Sequence, residues 1–213
     1  MKPLKTELQD AETLRDLGSA SVQIVHDLKN QLNGLKLYAT FLRKRMERAE
    51  RPADEQETLA KLISGLERAA ADMNVLVRFG RALDLRRQPG TDLARLLRDS
   101  TDGASVETDG GPFEGDFDPV LLAEALKNIT AGASGESADA GGGARVRLSG
   151  DGAGALVEWQ GGAAPAASDG EDPFRSLAGA AGLRMALAAK IVRAHGGEVS
   201  SEGGRIRARL PLQ

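Results

Sequence analysis

Cysteine is absent from the chain, so it holds neither a disulfide nor a thiolate metal site. Aromatic side chains are scarce, at 3% of 213 residues. An aromatic-rich β-sandwich core is thereby excluded, and the apolar 41% must pack through Leu, Val, Ile and Ala, the residues of helix packing. Long apolar runs are also missing. No window approaches the roughly 18–20 apolar residues that cross a bilayer. The first residues, MKPLKTELQDAETLRDLG, are charged throughout and lack the apolar stretch of a signal peptide. A cytoplasmic protein is the expectation. Charge of one sign is lacking too: 28 basic and 31 acidic side chains are interspersed and leave a net −3. No basic stripe is present to bind a nucleic-acid backbone.

What is present divides into two halves with different periods. From about Leu8 to Arg87 the main break lies around Glu50-Arg51-Pro52. Before it, Ser21, Val25, Leu28, Leu32, Leu35, Ala39, Leu42 and Met46 recur at alternating four- and three-residue steps, the mean spacing of a bundle seam. After it, Leu59, Leu62, Ile63, Leu66, Ala69, Ala70, Met73, Leu76, Val77 and Ala82 form a second stripe. Two long helices joined by a short turn make an antiparallel helical hairpin, which cannot bury both flanks of its stripe alone. Pairing two copies into a four-helix bundle solves this, so a homodimer is expected.

Beyond Gln88-Pro89-Gly90 the segments shorten and mix. Helices are expected at Asp92–Asp99, Pro119–Ile129 and Gly182–His195. Strands are expected at Ser105–Thr108, Phe113–Asp116, Arg145–Ser149, Ala155–Trp159, Glu198–Ser201 and Arg205–Leu210. The Gly-rich stretches Ala131–Ala144 and Gly161–Gly170 read as loops. The fold class is therefore α+β: a helical hairpin over residues 1–88, then an α/β sandwich over 89–213, one sheet covered by helices.

His26 follows Val25 and so lies about 100° off the apolar stripe. Gln23, His26, Asn30 and Asn33 fall at spacings of three, four and three and form one polar strip with Lys29 at its edge. A neutral imidazole exposed on a rigid helix is a competent nucleophile near neutral pH. Asp27 can orient it or take its other proton, and Asn30, one turn on, can hold a water in line with a phosphoryl group.

The run VHDLKNQLNGL resembles the H box of two-component sensor histidine kinases: His, an acidic residue, Leu, a basic residue, then Asn or Thr. His26, Asp27, Leu28, Lys29 and Asn30 fill those places in turn, while Gln31 stands where many members carry Pro. The resemblance implies that His26 accepts a phosphoryl group and that the second half is a nucleotide-binding domain of the same family. LLAEALKNITAGA looks like the family's N box, with Asn128 at the first asparagine position and Gly132 at the second. VEWQGGAAPAA stands at the first glycine box, where the resemblance places Trp159, or Gln160 in a register shifted by one, at the aspartate that holds adenine. DPFRS keeps the Pro-Phe of the F box. AAGLRMALAAKIVRAHGG resembles the second glycine box, with Ala180 and Arg184 replacing glycines and Gly182 kept. His195 ends that helix before a Gly-Gly turn, where a partial positive charge suits the dipole; it reads as structural.

These replacements imply a domain that has lost its demand for ATP. The first expectation is thus a histidine phosphotransfer protein that relays phosphate through His26 between response-regulator receiver domains. It needs no cofactor and no metal, and the receiver docks near Val22, Gln23, Lys29 and Asn33. A second is a divergent cytoplasmic kinase holding ATP and Mg²⁺ through Asn128, Gly161, Gly162 and Gly182. A third is a non-catalytic dimeric scaffold. All three need the bundle. Size-exclusion chromatography with light scattering is expected to give twice the chain mass at micromolar concentration, and a monomer there counts against the hairpin's unsatisfied stripe.

Overall fold

The computed structural model describes residues 25, 28–44, 53–101, 104–134, 144–152, 154–160, 172–175, 179–202 and 205–212. The chain forms two compact units, Met1–Ala82 and Leu83–Gln213. In the first, helix α1 (residues 28–44) packs on α2 (Ala53–Gly80). Their contact is built on Ala39, Leu59 and Ile63 with Leu66 against them, and on an exposed Lys36–Glu67 ion pair at 2.9 Å. Alanine at position 39 lets the helices approach. Part of the stripe stays in solvent: Leu28, Leu35 and Leu42, one heptad apart, are exposed, as are Leu62 and Leu76.

The second unit is α+β. Strand β1 (Gln88–Asp92) pairs antiparallel with β3 (Glu114–Phe117) in a two-stranded ribbon. A five-stranded sheet has the order β2-β4-β5-β7-β6. It is formed by β2 (Ser105–Asp109), β4 (Arg145–Asp151), β5 (Gly154–Gln160), β6 (Glu198–Glu202) and β7 (Arg205–Pro211). Only β2 and β4 run parallel; the other three pairs are antiparallel. Alternation along the central strands is clean. Val146, Trp159 and Ile206 stand abreast and buried, as do Leu148, Val157 and Ala208. The opposite face is ionic, with Arg147 bonded to Asp109 and Arg207 to Glu158, each at 2.9 Å. Helices α3 (Leu93–Ser100), α4 (Pro119–Ser134) and α5 (Gly179–Ala194) complete the layer, α4 and α5 packing along each other.

Three expectations needed correction. The change of character placed at Gln88-Pro89-Gly90 falls inside a strand, since β1 crosses it. The strand has an open edge, where a missing Pro89 N–H costs no ladder bond, and Gly90 at φ +71° lies in the register shift between Gln88 and Thr91. Helix α4 continues five residues past Ile129 into the Gly-rich stretch read as a loop, because Thr130 and Ala133 are buried there. Strand β3 starts one residue later than expected.

Helix α3 begins at Asp92, whose Oδ1 accepts from the amides of Ala94 at 2.9 Å and Arg95 at 3.1 Å. Asp92→Ala removes this cap and should lower the unit's stability by about 1 kcal/mol in urea denaturation followed by circular dichroism.

Candidate functional site

On α1, Asn30 and Asn33 are exposed and Lys29 is half-buried. His26, Asp27, Val22 and Gln23 lie outside the described residues. The strip continues into an apolar one. Leu37 and Phe41 follow Asn30 by seven and eleven residues, which returns the helix to nearly the same face. They are 69% and 65% exposed, and Tyr38 beside them is 69% exposed. A side chain built at Gly34 would meet nothing within 4 Å, so this surface is open. The sequence reading passed over Leu37 and Phe41 because they fall off the apolar stripe. That displacement was itself the signal.

In the α/β unit the positions named by the resemblance are filled with packing. Trp159 is fully buried, and its indole N–H donates to Thr130 Oγ1 of α4 at 2.8 Å. Thr130 in turn donates to the Leu126 carbonyl at 2.9 Å, so the buried pair is satisfied. A Cβ at Gly132 would sit 2.5 Å from Met185 Sδ of α5, and Met185 is 1% exposed. The second asparagine position of the N box thus faces a helix–helix contact. Asn128 is half-buried on the same helix, Gly182 is half-buried at the first turns of α5, and Arg184 is exposed. Gly161 and Gly162 lie outside the described residues. Phe174 of the Pro-Phe pair is buried, its amide held by Asp172 Oδ1 at 3.0 Å. Among the described residues no group of His, Asp and Glu could hold a metal ion. At two of the positions that the resemblance names, an indole stands in place of an anionic acceptor and a close helix contact in place of an amide side chain.

His195 departs from the expected charged helix end. It is 1% exposed, its Nδ1 donates to the Ile191 carbonyl at 2.8 Å, and its Nε2 accepts from the Asp118 amide at 3.0 Å. Burial holds its pKa below the ordinary 6.5, against the pull of the Ile191 carbonyl. The ring is neutral, and its contribution is two hydrogen bonds rather than a charge on the helix dipole. Asp118 caps α4, its Oδ1 accepting from Val120 and Leu121 at 3.0 Å each. Burial alone would raise its carboxyl pKa, but the amides of Leu121, Arg86 and Val120 outweigh it and hold the value below 3.8.

No family model matches the sequence, and no curated protein matches it either. Solved structures do. Full-length ShkA in complex with AMPPNP aligns with a TM-score of 0.63 at 20% identity over 89% of this chain. Histidine kinase ThkA, in complex with the response regulator protein TrrA, aligns at 0.60 with 15% identity over 98%. The Acinetobacter baumannii histidine kinase AdeS gives 0.50 with 14% identity, covering 86% of this chain and 96% of its own. The chain spans 44% of the ShkA chain and 66% of the ThkA chain. It has a sensor-histidine-kinase-like fold, and no described helix is long and apolar enough to cross a membrane.

Gly132→Asn, which places an asparagine where the resemblance expects one, is expected to destabilise the α/β unit by about 1–3 kcal/mol through overpacking against Met185. Denaturation followed by the fluorescence of the single tryptophan, Trp159, reads this directly.

Proposed function

We propose that this chain is a cytoplasmic, dimeric histidine phosphotransfer protein of a two-component phosphorelay, passing a phosphoryl group through His26 between receiver domains. The observation that carries this reading is Trp159, buried and bonded to Thr130 at the position where the resemblance puts the adenine-holding aspartate. Phosphoryl transfer from ATP depends on metal ligands and positioned charge, and Gly132 and Trp159 supply neither. A receiver's aspartyl phosphate brings its own leaving group. An imidazole nitrogen of His26 attacks phosphorus, the N–P bond forms as the acyl P–O bond breaks, and the aspartate leaves as carboxylate. Asp27 orients the ring and Asn30 stands one turn away.

Receiver docking is assigned to Val22, Gln23, Lys29 and Asn33, and is extended along α1 by the exposed Leu37, Tyr38 and Phe41. An apolar patch beside a polar strip suits a transient protein partner. The ThkA structure contains such a pairing of histidine kinase and response regulator. The heptad-spaced Leu28, Leu35 and Leu42, left open by a single hairpin, support a second copy completing a four-helix bundle.

The likeness to AMPPNP-bound ShkA favours a second reading, a divergent kinase that binds ATP through Asn128, Gly161, Gly162 and Gly182. Labelling separates the two. The protein is expected to take ³²P from a phosphorylated receiver and none from ATP with Mg²⁺, with all label lost in His26→Ala. Label from ATP alone ends the phosphotransfer reading. Receiver binding without label from either source makes the chain a scaffold.

A further inference from the structure

We propose that neutral His195 closes a clamp that seats the segment entering the α/β unit, at Arg86 and Arg87, on the adjoining ends of α4 and α5, and that protonating the imidazole opens it.

The geometry leaves His195 no spare valence. Nδ1 faces a carbonyl, Ile191 O at 2.8 Å, and must carry the proton; Nε2 faces an N–H, that of Asp118 at 3.0 Å, and must not. The partner of Nε2 belongs to the residue that also holds the entering segment. Asp118 Oδ2 accepts from the Arg86 amide at 2.8 Å. The next residue reaches the other helix: Arg87 Nη2 donates to the Ala194 carbonyl at the end of α5, at 3.0 Å, while its Nη1 lies 3.9 Å from Asp116 Oδ2. Two consecutive residues are thus tied to the start of α4 and the end of α5, and His195 ties those two ends to each other. The Phe117 ring, 6.0 Å away between centroids and tilted by 59°, packs on the imidazole.

A second ring proton would set two N–H groups against each other across 3.0 Å. The charged groups acting on the ring are Asp118 at the head of α4, Asp116 on β3 and Arg87 in the entering segment. An imidazolium turning to the Asp118 carboxylate would compete with the amides of Arg86, Val120 and Leu121 for its oxygens. Either movement breaks a bond of the clamp. The seat lies six residues after α2 ends at Gly80. Its two anchors are ends of the helices that carry Asn128 and Gly182.

The linkage has a definite sign. An unfolded imidazole takes its proton near 6.5, whereas burial makes the folded one resist. Stability from this group is intact above that pH and declines as pH falls below it. Asp118, held below 3.8, stays ionised between pH 8 and 5 and cannot produce the change.

The test is NMR on the full chain, whose two histidines make ring resonances simple to assign. His195 should titrate below 6.5, and over the same pH interval the Arg86 and Asp118 amides should lose about tenfold in exchange protection, measured against the intrinsic rate at each pH. His195→Gln, a neutral side chain, should abolish that pH dependence. Arg87→Gln, at an exposed position, removes the cation beside the ring and should raise the His195 midpoint; it carries the test if the His195 variant fails to fold. Protection that stays constant while His195 titrates overturns the proposal. So does an unmoved midpoint in Arg87→Gln, or the same pH dependence in His195→Gln.

Discussion

The hydrogen bond from the Trp159 indole to Thr130 joins the middle strand of the five-stranded sheet to α4 in a place that water does not reach. An indole N–H buried without a partner costs about 1–3 kcal/mol, and so does an orphaned hydroxyl. The two groups therefore fix each other, and with them the distance of α4 from the sheet. Thr130 keeps its helical place by bonding back to Leu126. Once α4 is set, α5 can approach it only where side chains are small. Gly132 opposite Met185, with Ala186, Ala188 and Ala189 buried along α5, provides that room. Gly132, at the position where the resemblance expects an asparagine, is thus a packing element. The core then depends on it.

Much of this was legible because period and face coincide. In strands β4, β5 and β7 buried apolar residues recur at every second position, and α4 and α5 carry apolar residues at helical spacing, so their positions could be read from the residues alone. Strand β1 was hidden because Pro89 and Gly90 ordinarily punctuate, and only its place at an open edge makes them tolerable. The overrun of α4 was hidden for a related reason. Glycine at position 132 weakens a helix locally, and its compensation lies 53 residues away at Met185, beyond any local window. The charge of His195 was misread for the same cause. A histidine at a helix end suggests a dipole partner, but the Asp118 amide that demands a neutral ring is 77 residues away in sequence. Local pattern carries elements; it does not carry the polar contacts between them.

The helical unit has the opposite character: its unsettled feature is what it leaves uncovered. Helix α1 shows two apolar populations. Leu28, Leu35 and Leu42 follow a heptad and flank the face already used by Ala39. Leu37 and Phe41 lie on another face, in line with Asn30. One partner cannot cover both. A second copy suits the heptad seam, since a self-matching apolar stripe is stable only when permanently buried. The other population is small, rimmed by polar side chains and placed on the strip that holds His26 in the sequence, which suits a partner that arrives and leaves.

Separating these roles explains how nucleotide chemistry can decay without loss of the proposed activity. A histidine phosphorylated from ATP requires the nucleotide domain to keep its ligands, its cavity and the motion that brings the γ-phosphate to the ring. A histidine phosphorylated from a receiver requires only an exposed, oriented imidazole and a docking face. The proposed reading requires no open cavity there, which agrees with the burial and satisfied hydrogen bonds at Trp159 and Thr130. It also explains why the fold outlasts the sequence motifs. The helix ends that remain bonded to one another, at Asp118, Ala194 and His195, lie outside the lost ligand positions and still anchor the chain that leads from the helical unit. What persists is the part of the domain that holds the entering segment. Under the proposed phosphotransfer reading that part is still used and a kinase's ligands are not, which is the pattern of replacement that reading expects.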